Sequence, residues 1–208
     1  MPDLSKLYLF RMTHVENIPH VLEHGLTHRT SPNHNPAFVP IGDGSLISKR
    51  DAFVMPNLKR LGDYIPFYFG SRMPMLYVIQ KGYSQVTPVS AGKIVYCITS
   101  VANVIACPSV DFVFANGHAF SGLSEFFSPA DVPNIEQIID REAINSQYWN
   151  DPNDLDLRRR MEAEFLILGD LPISAIRGYA VYNEAAKATL VGWGIPENKV
   201  VVKPDYYF

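Results

Sequence analysis

The chain has 208 residues, 47% hydrophobic and 19% charged, with a net charge of −3. That length suits one domain, residues 1–208, which buries enough surface to fold without disulfide or metal staples, and the apolar share excludes extensive disorder. The charge excludes a uniformly basic nucleic-acid binder but leaves room for a local basic groove.

Cys97 and Cys107 are the only cysteines, too few for a disulfide scaffold. Cys97 sits in an apolar run and reads as a small buried hydrophobe. The opening Met1–Lys6 lacks a signal-peptide pattern, and no apolar run approaches ~18 residues. The expectation is a cytoplasmic protein with no membrane segment.

In chain order, Lys6–Thr13 is the first strand candidate. A helix is expected over Val15–His24, with Ile18, Val21 and Leu22 on one face, Thr13 or His14 as cap and Gly25 as stop. Thr27–Gly44 is polar and loop-like, and long loops in compact domains are commonly functional. Ile65–Phe69, Met75–Ile79, Ile94–Ile98 and Phe112–Phe114 read as short strands. Asn116–Asp156 is irregular apart from an expected helix at Asn134–Ile144. Leu155–Ala163 reads as a basic helix. Glu164–Leu168, Gly178–Tyr182 and Lys199–Val202 are strands, with a helix at Asn183–Val191. Many short strands and few helices predict an α+β fold with a mixed or antiparallel core. Rossmann, P-loop, HExxH and GxSxG patterns are all absent, as is a zinc-like Cys/His spacing. His20 and His24 stand at i, i+4 but form no recognised metal set, so no metal is expected.

Four segments carry potential chemistry, each beside a plainer reading. Glu164 opens an apolar strand, where burial costs energy unless it is paired or faces a cleft; otherwise it is an exposed strand end beside Arg158–Arg160. Arg50, in Lys49–Asp51, has the fork that suits phosphate or carboxylate; otherwise it is a solvated surface charge. The aromatic cluster Tyr64–Phe69 with Met75 can wall a flat heteroaromatic ring, or simply be core. Arg158–Arg160 with Tyr148 and Trp149 combines phosphate-binding and base-stacking side chains, or is a charged helix face.

In this order the pieces resemble the DarT family, the toxin half of DarT–DarG toxin–antitoxin systems. The matching segments are Tyr8–His14 with Asn17 and Leu22–Gly25; Lys49-Arg50; Tyr64–Phe69 with Pro74–Tyr77; and Arg158–Arg160 leading into Ala163–Leu166. They run from Tyr8 to about Tyr182. The resemblance implies an ADP-ribosyltransferase fold and a bacterial toxin that cleaves NAD and attaches ADP-ribose to a base of single-stranded DNA. By motif position it implies Glu164 as catalytic carboxylate and Arg50 as an NAD-contacting, catalytic arginine. Tyr68 and Met75 would enclose the nicotinamide, His14, with Thr13 beside it, would sit in the NAD site, and Phe69 continues the aromatic wall. Residues 27–47 would fold over NAD and residues 116–156 would recognise substrate. His118, Tyr148, Trp149, Arg158 and Arg160 are the candidate DNA contacts. A DarG-type macrodomain antitoxin is the expected partner, and a monomer the expected state.

The chain departs from the family where relatives commonly carry glutamine two residues before the catalytic glutamate: here it is Glu162. That position bears on acceptor choice in ADP-ribosyltransferases generally, so it leaves the acceptor base open; the resemblance to thymine-modifying members makes thymine the first expectation, with guanine the second. Two other readings compete: an ADP-ribosyltransferase acting on RNA or protein, and a catalytically silent NAD or nucleic-acid binding module.

Overall fold

The computed structural model describes residues 2–208. Its β-structure is one eight-stranded sheet in the order β5-β4-β6-β2-β1-β3-β7-β8. The strands are β1 (Tyr8–His14), β2 (Tyr64–Tyr68), β3 (Ile94–Ser100), β4 (Asp111–Ala115), β5 (Phe126–Phe127), β6 (Glu164–Leu168), β7 (Gly178–Val181) and β8 (Val200–Val202). All neighbours are antiparallel except β7 and β8. The helices are α1 (Ile18–His24), α2 (Gly44–Ala52), α3 (Pro74–Lys81), α4 (Val101–Ile105), α5 (Ile135–Ile138), α6 (Arg141–Ile144), α7 (Leu157–Met161) and α8 (Glu184–Gly192). The α+β expectation holds.

The sheet has two halves joined at a narrow seam. β1 pairs with β3 from Tyr8↔Ser100 to His14↔Ile94, and β2 with β6 from Tyr64↔Leu168 to Tyr68↔Glu164. Between β1 and β2 the register is a single pair, Phe10↔Tyr68. Pro66 supplies a reason. Its carbonyl accepts from Arg11 Nη1 at 3.2 Å, so it faces β1, and the amide that proline lacks would have faced the same strand. The ladder stops there, and the seam holds the Arg11 side chain.

Strand alternation sends side chains to two different layers. On one face Leu9, Phe67, Phe112, Phe165 and Ile167 pack with Ile18 and Val21 of α1, Val101 and Val104 of α4, Ile135 of α5 and Leu190 of α8. On the other face there are two separate clusters. Phe10, Met12, Tyr68 and Tyr96 pack with Leu76 and Ile79 of α3 and with Tyr207. Met55, Leu61, Tyr64 and Leu166 form the second. Glu164 lies on this divided face, because it pairs in register with Tyr68 and Ala115.

Several local expectations are corrected. Met75–Ile79 is not a strand but part of α3: Pro74 starts the helix, Leu76 and Ile79 face the core, and Gly82 ends it at φ 73°. Burying those two side chains fully contributes ~1.5–3 kcal/mol each. The helix expected at Asn134–Ile144 is interrupted: Asn134 is the last residue of a 3₁₀ segment, and Asp140 leaves helical geometry to cap α6, its side chain accepting from Ala143 N at 2.9 Å. The basic helix is shorter than Leu155–Ala163, and Val15–Asn17 is a 3₁₀ turn ahead of α1. The strand β5, inside a stretch read as irregular, pairs with β4. The loop after Thr27 gives way to helix at Gly44, where the Asp43 carboxylate accepts from Ser45 N at 2.8 Å.

Candidate active site

The cleft on the divided face centres on one ion pair. Glu164 is fully buried, and Arg50 is 9% exposed. Arg50 donates twice to it, Nη1 to Oε1 at 3.1 Å and Nη2 to Oε2 at 2.8 Å. The Ala119 amide donates a third bond, to Oε1 at 2.8 Å. Neither residue is a solvated surface charge. Burial, the largest single effect on Glu164, pushes its carboxyl up, but Arg50, His118 and the Ala119 amide together hold it below the usual carboxylate range. Arg50 responds the other way: burial pulls its guanidinium down, and Glu164 raises it overall.

Each partner is placed by its element. Glu164 is the first residue of β6, held between β2 and β4. Arg50 sits in the last turn of α2. Gly62 lets that helix approach, since a Cβ there would lie 2.1 Å from Asp51 Oδ1. Ala119 is positioned by its neighbour: His118 N donates to Arg159 O at 2.8 Å. Arg159 is itself anchored, with Nε on Asp156 Oδ1 at 2.7 Å and Nη1 on Asn116 Oδ1 at 3.1 Å. Gly117 makes room for it, because a Cβ would meet Arg159 Nη1 at 2.3 Å. His118 is half-buried; burial lowers its pKa, Glu164 opposes that, and Arg50 and Arg158 reinforce it.

A cavity of about 340 Å³ adjoins the pair, walled by Arg11, Thr13, Arg50, Tyr68 and Met75 on the sheet and helix side. Its other wall is the segment after α1, including His28, His34, Phe38 and Pro40. That segment is pinned at both ends. Asn17 Nδ2 donates to Thr13 Oγ1 and to Val39 O, both at 2.9 Å, and Asn17 Oδ1 accepts from Val39 N at 2.8 Å. Asp170 Oδ1 accepts from His28 N at 2.7 Å, and the His28 ring reaches Gly62 O at 2.9 Å. The Pro40–Gly42 stretch separates this cavity from a second one of about 570 Å³, which His14 and Lys93 line.

Among the positions expected from sequence, Thr13, Arg50, Tyr68 and Met75 therefore share one cavity, and Glu164 is buried behind Arg50 rather than lining it. His14 lies beyond the Pro40–Gly42 wall, its Nδ1 accepting from Glu16 N at 3.3 Å. Phe69 faces away: strand alternation puts it in the opposite core layer, edge-on to Phe165. The arginine run divides into three environments. Arg158 is exposed and has no ion pair among the described residues, Arg159 braces the Asn116–Ala119 backbone, and Arg160 is held by Asp140, Asp154 and Asp156. With three carboxylates around it, Arg160 braces the loop and has little charge to offer DNA. Tyr148 is 76% exposed, whereas Trp149 packs on Tyr77 and Phe208. Cys97 is fully buried, and burial pushes its thiol up to about 12.

The family model described as "ssDNA thymidine ADP-ribosyltransferase, DarT" matches residues 10–208. The chain belongs to the DarT family of NAD-dependent DNA ADP-ribosyltransferases. A DNA ADP-ribosyl transferase of Escherichia coli O127:H6 is 30% identical over 98% of this chain and 94% of its own length. The structure of Thermus sp. 2.9 DarT with ADP-ribosylated single-stranded DNA superposes with a TM-score of 0.84 at 27% identity, covering 100% of this chain and 98% of that one. The same Thermus protein with NAD⁺ gives 0.80 at 27% identity, covering 100% and 99%. A Thermosipho africanus protein that fuses the transferase to a DNA ADP-ribosyl glycohydrolase is 24% identical over 96% of this chain and 49% of its own length.

Two features of this site are not singled out by the sequence, although Arg11 lies inside the matching segment Tyr8–His14. Arg11 looks like an ordinary strand residue, yet it fills the seam beside Tyr68, Arg50 and Glu164. The Ala119 amide is a main-chain donor that no side-chain pattern reveals. Glu162 was legible only as a departure from the family. It is 7% exposed, and burial pushes its carboxyl up to about 7, with Arg158 opposing and Glu164 reinforcing the shift. It also faces the amide of Met75. Among the described residues no group of three or more His, Cys, Asp or Glu could hold a metal ion, and His20 and His24 form only a pair with ring centroids 4.7 Å apart. Nor is any described helix long and apolar enough to cross a membrane.

Proposed function

We propose that this protein transfers ADP-ribose from NAD to a base of single-stranded DNA, thymine first and guanine second, and acts as the toxin of a toxin–antitoxin pair. The observation that carries the reading is the buried Arg50–Glu164 pair beside a cavity walled by Tyr68 and Met75. NAD supplies the electrophile. The bond between ribose C1′ and the nicotinamide nitrogen breaks, nicotinamide leaves with the electron pair, and a nitrogen of the base forms the new bond to C1′. The nitrogen's proton passes to Glu164.

Positive charge builds on C1′ as nicotinamide leaves. A fixed carboxylate stabilises that charge more than it stabilises bound NAD, which is what lowers a barrier. Glu164 is held for this by three donors and cannot turn away. Tyr68 and Met75 hold the nicotinamide ring. Arg50 and Arg11 face the same cavity and suit the pyrophosphate. Residues 27–47 cover NAD, and the Asn17 clamp on Val39 supports that role. Residues 116–156 meet the DNA with His118 and Tyr148, joined by the exposed Arg158 of α7. A base inside a duplex cannot reach C1′, so unpaired strands are the substrate. The fused glycohydrolase of the Thermosipho relative supports a DarG-type partner that removes the mark.

The test is nicotinamide release from NAD with and without single-stranded oligonucleotides. Release that needs DNA and disappears in Glu164→Gln supports the reading. Release stimulated only by RNA or a protein acceptor would replace it.

A further inference from the structure

On the outer side of α3, away from the cavity, four aromatic side chains meet. Tyr77 stacks on Tyr83 with centroids 5.6 Å apart and planes at 21°. Trp149 lies 5.2 Å from Tyr77, and Phe208 closes the group edge-on, 5.2 Å from Tyr77 and 5.5 Å from Trp149. The cluster is preformed. Gln80 fixes Phe208 through its main chain, donating from Nε2 to the Phe208 carbonyl at 3.2 Å and accepting from the Phe208 amide at 3.0 Å. It is also open: Tyr83 is 53% exposed, and Tyr148, next to Trp149, is 76% exposed.

Cations rim it. The Arg72 guanidinium sits 4.2 Å over Phe208, and Lys81 Nζ is 5.9 Å from the Tyr77 ring centre. Neither joins an ion pair among the described residues. Arg72 Nε is buried without a hydrogen-bond partner. The ledge lies across α3 from the chemistry, one helix width away. Met75, two residues before Tyr77 on the same helix, lines the NAD cavity, and its amide faces Glu162.

We infer that this ledge is a second docking site for the DNA substrate, on which unpaired bases flanking the target base stack while Arg72 and Lys81 meet their phosphates. The inference rests on the DNA-transferase reading above. Flat apolar faces beside unpaired cations match a polyanion whose bases are free to stack, and a single strand has both properties. A duplex does not, because its bases already stack on each other.

The experiment measures initial rates of transfer against oligonucleotide concentration for two sets of single strands. The short strand holds the target base and its immediate neighbours; the long ones extend it on the 5′ or the 3′ side. A ledge contact lowers KM for at least one long strand by roughly 5- to 150-fold, the range that one stacked base carries. The Tyr77→Ala/Tyr83→Ala variant raises that KM to the short-strand value and leaves kcat and KM on the short strand unchanged. Tyr77→Phe/Tyr83→Phe keeps the stacking faces and retains the advantage of length. Tyr83→Ala alone, at an exposed position, loses part of it without risk to the fold. A KM independent of length, an alanine variant that keeps the length advantage, or one that impairs both strands equally overturns the inference. Absence of transfer to any DNA strand would instead refute the reading on which it rests.

Discussion

Removing one partner of the Arg50–Glu164 pair tests how the cleft is held together. Glu164 is fully buried and Arg50 is 9% exposed, so neither charge can be rescued by water where it stands. Glu164→Ala leaves the Arg50 guanidinium without the two bonds at 3.1 and 2.8 Å. Arg50→Ala leaves Glu164 with the Ala119 amide alone. Breaking a buried pair from one side costs about 3–5 kcal/mol, because a charge remains buried and uncompensated. The double variant leaves neither member of the pair without its partner. It should be more stable than the sum of the two losses implies, with a coupling of about 1.5–3 kcal/mol. For a chain of this size each single variant should melt about 6–20 °C lower. Chemical denaturation of the four proteins, read by tryptophan fluorescence and circular dichroism, gives the cycle. Single losses below about 1 kcal/mol, or strict additivity, would refute a buried and mutually dependent pair.

Other predictions separate chemistry from scaffolding. Glu164→Gln keeps the shape of the side chain but not its charge, so transfer should fall about 10²–10⁴-fold while NAD affinity, measured by calorimetry, stays within about threefold. Glu162 has a raised pKa of about 7 against an ordinary 4.5. Its contribution to stability is therefore fully present below about 4.5 and lost as pH rises through about 7. Glu162→Gln should match the parent near pH 4 and be more stable at pH 8, by up to about 3 kcal/mol; parallel denaturation curves at both pH values would count against this. Arg158→Ala should reduce the salt dependence of DNA binding by about one charge at little cost to stability. Arg160→Ala should leave the salt slope unchanged and lower stability by about 1–2 kcal/mol, because its bonds go to Asp140 and Asp154.

The strands were legible where alternation and β-branched or aromatic content agree, as in Tyr8–His14 and Ile94–Ser100. Met75–Ile79 misled because a short apolar run fits strand and helix alike; Pro74 at the helix start and the i, i+3 burial of Leu76 and Ile79 decide for helix. The residues that meet in the cavity were found through motif order rather than periodicity, since Arg50 and Glu164 are 114 positions apart and share no local pattern. Phe69 shows the limit of motif adjacency: one step along a strand reverses the face, so the neighbour of Tyr68 belongs to the opposite layer. Arg160 shows the limit of composition, because three arginines in a row look alike until their carboxylate partners are placed. Arg11 and the Ala119 amide gain their positions from the sheet seam and from the Arg159 brace, both long-range features.

The most direct test of the central claim is mass spectrometry of single-stranded oligonucleotides incubated with the protein and NAD. Strands with and without thymine are run beside duplex and RNA controls, and beside Glu164→Gln. The account predicts the mass of one ADP-ribose added to an unpaired DNA strand, located on a base by fragmentation and absent with Glu164→Gln. NAD consumed with no adduct on any DNA strand, or an adduct formed equally well by Glu164→Gln, would contradict it.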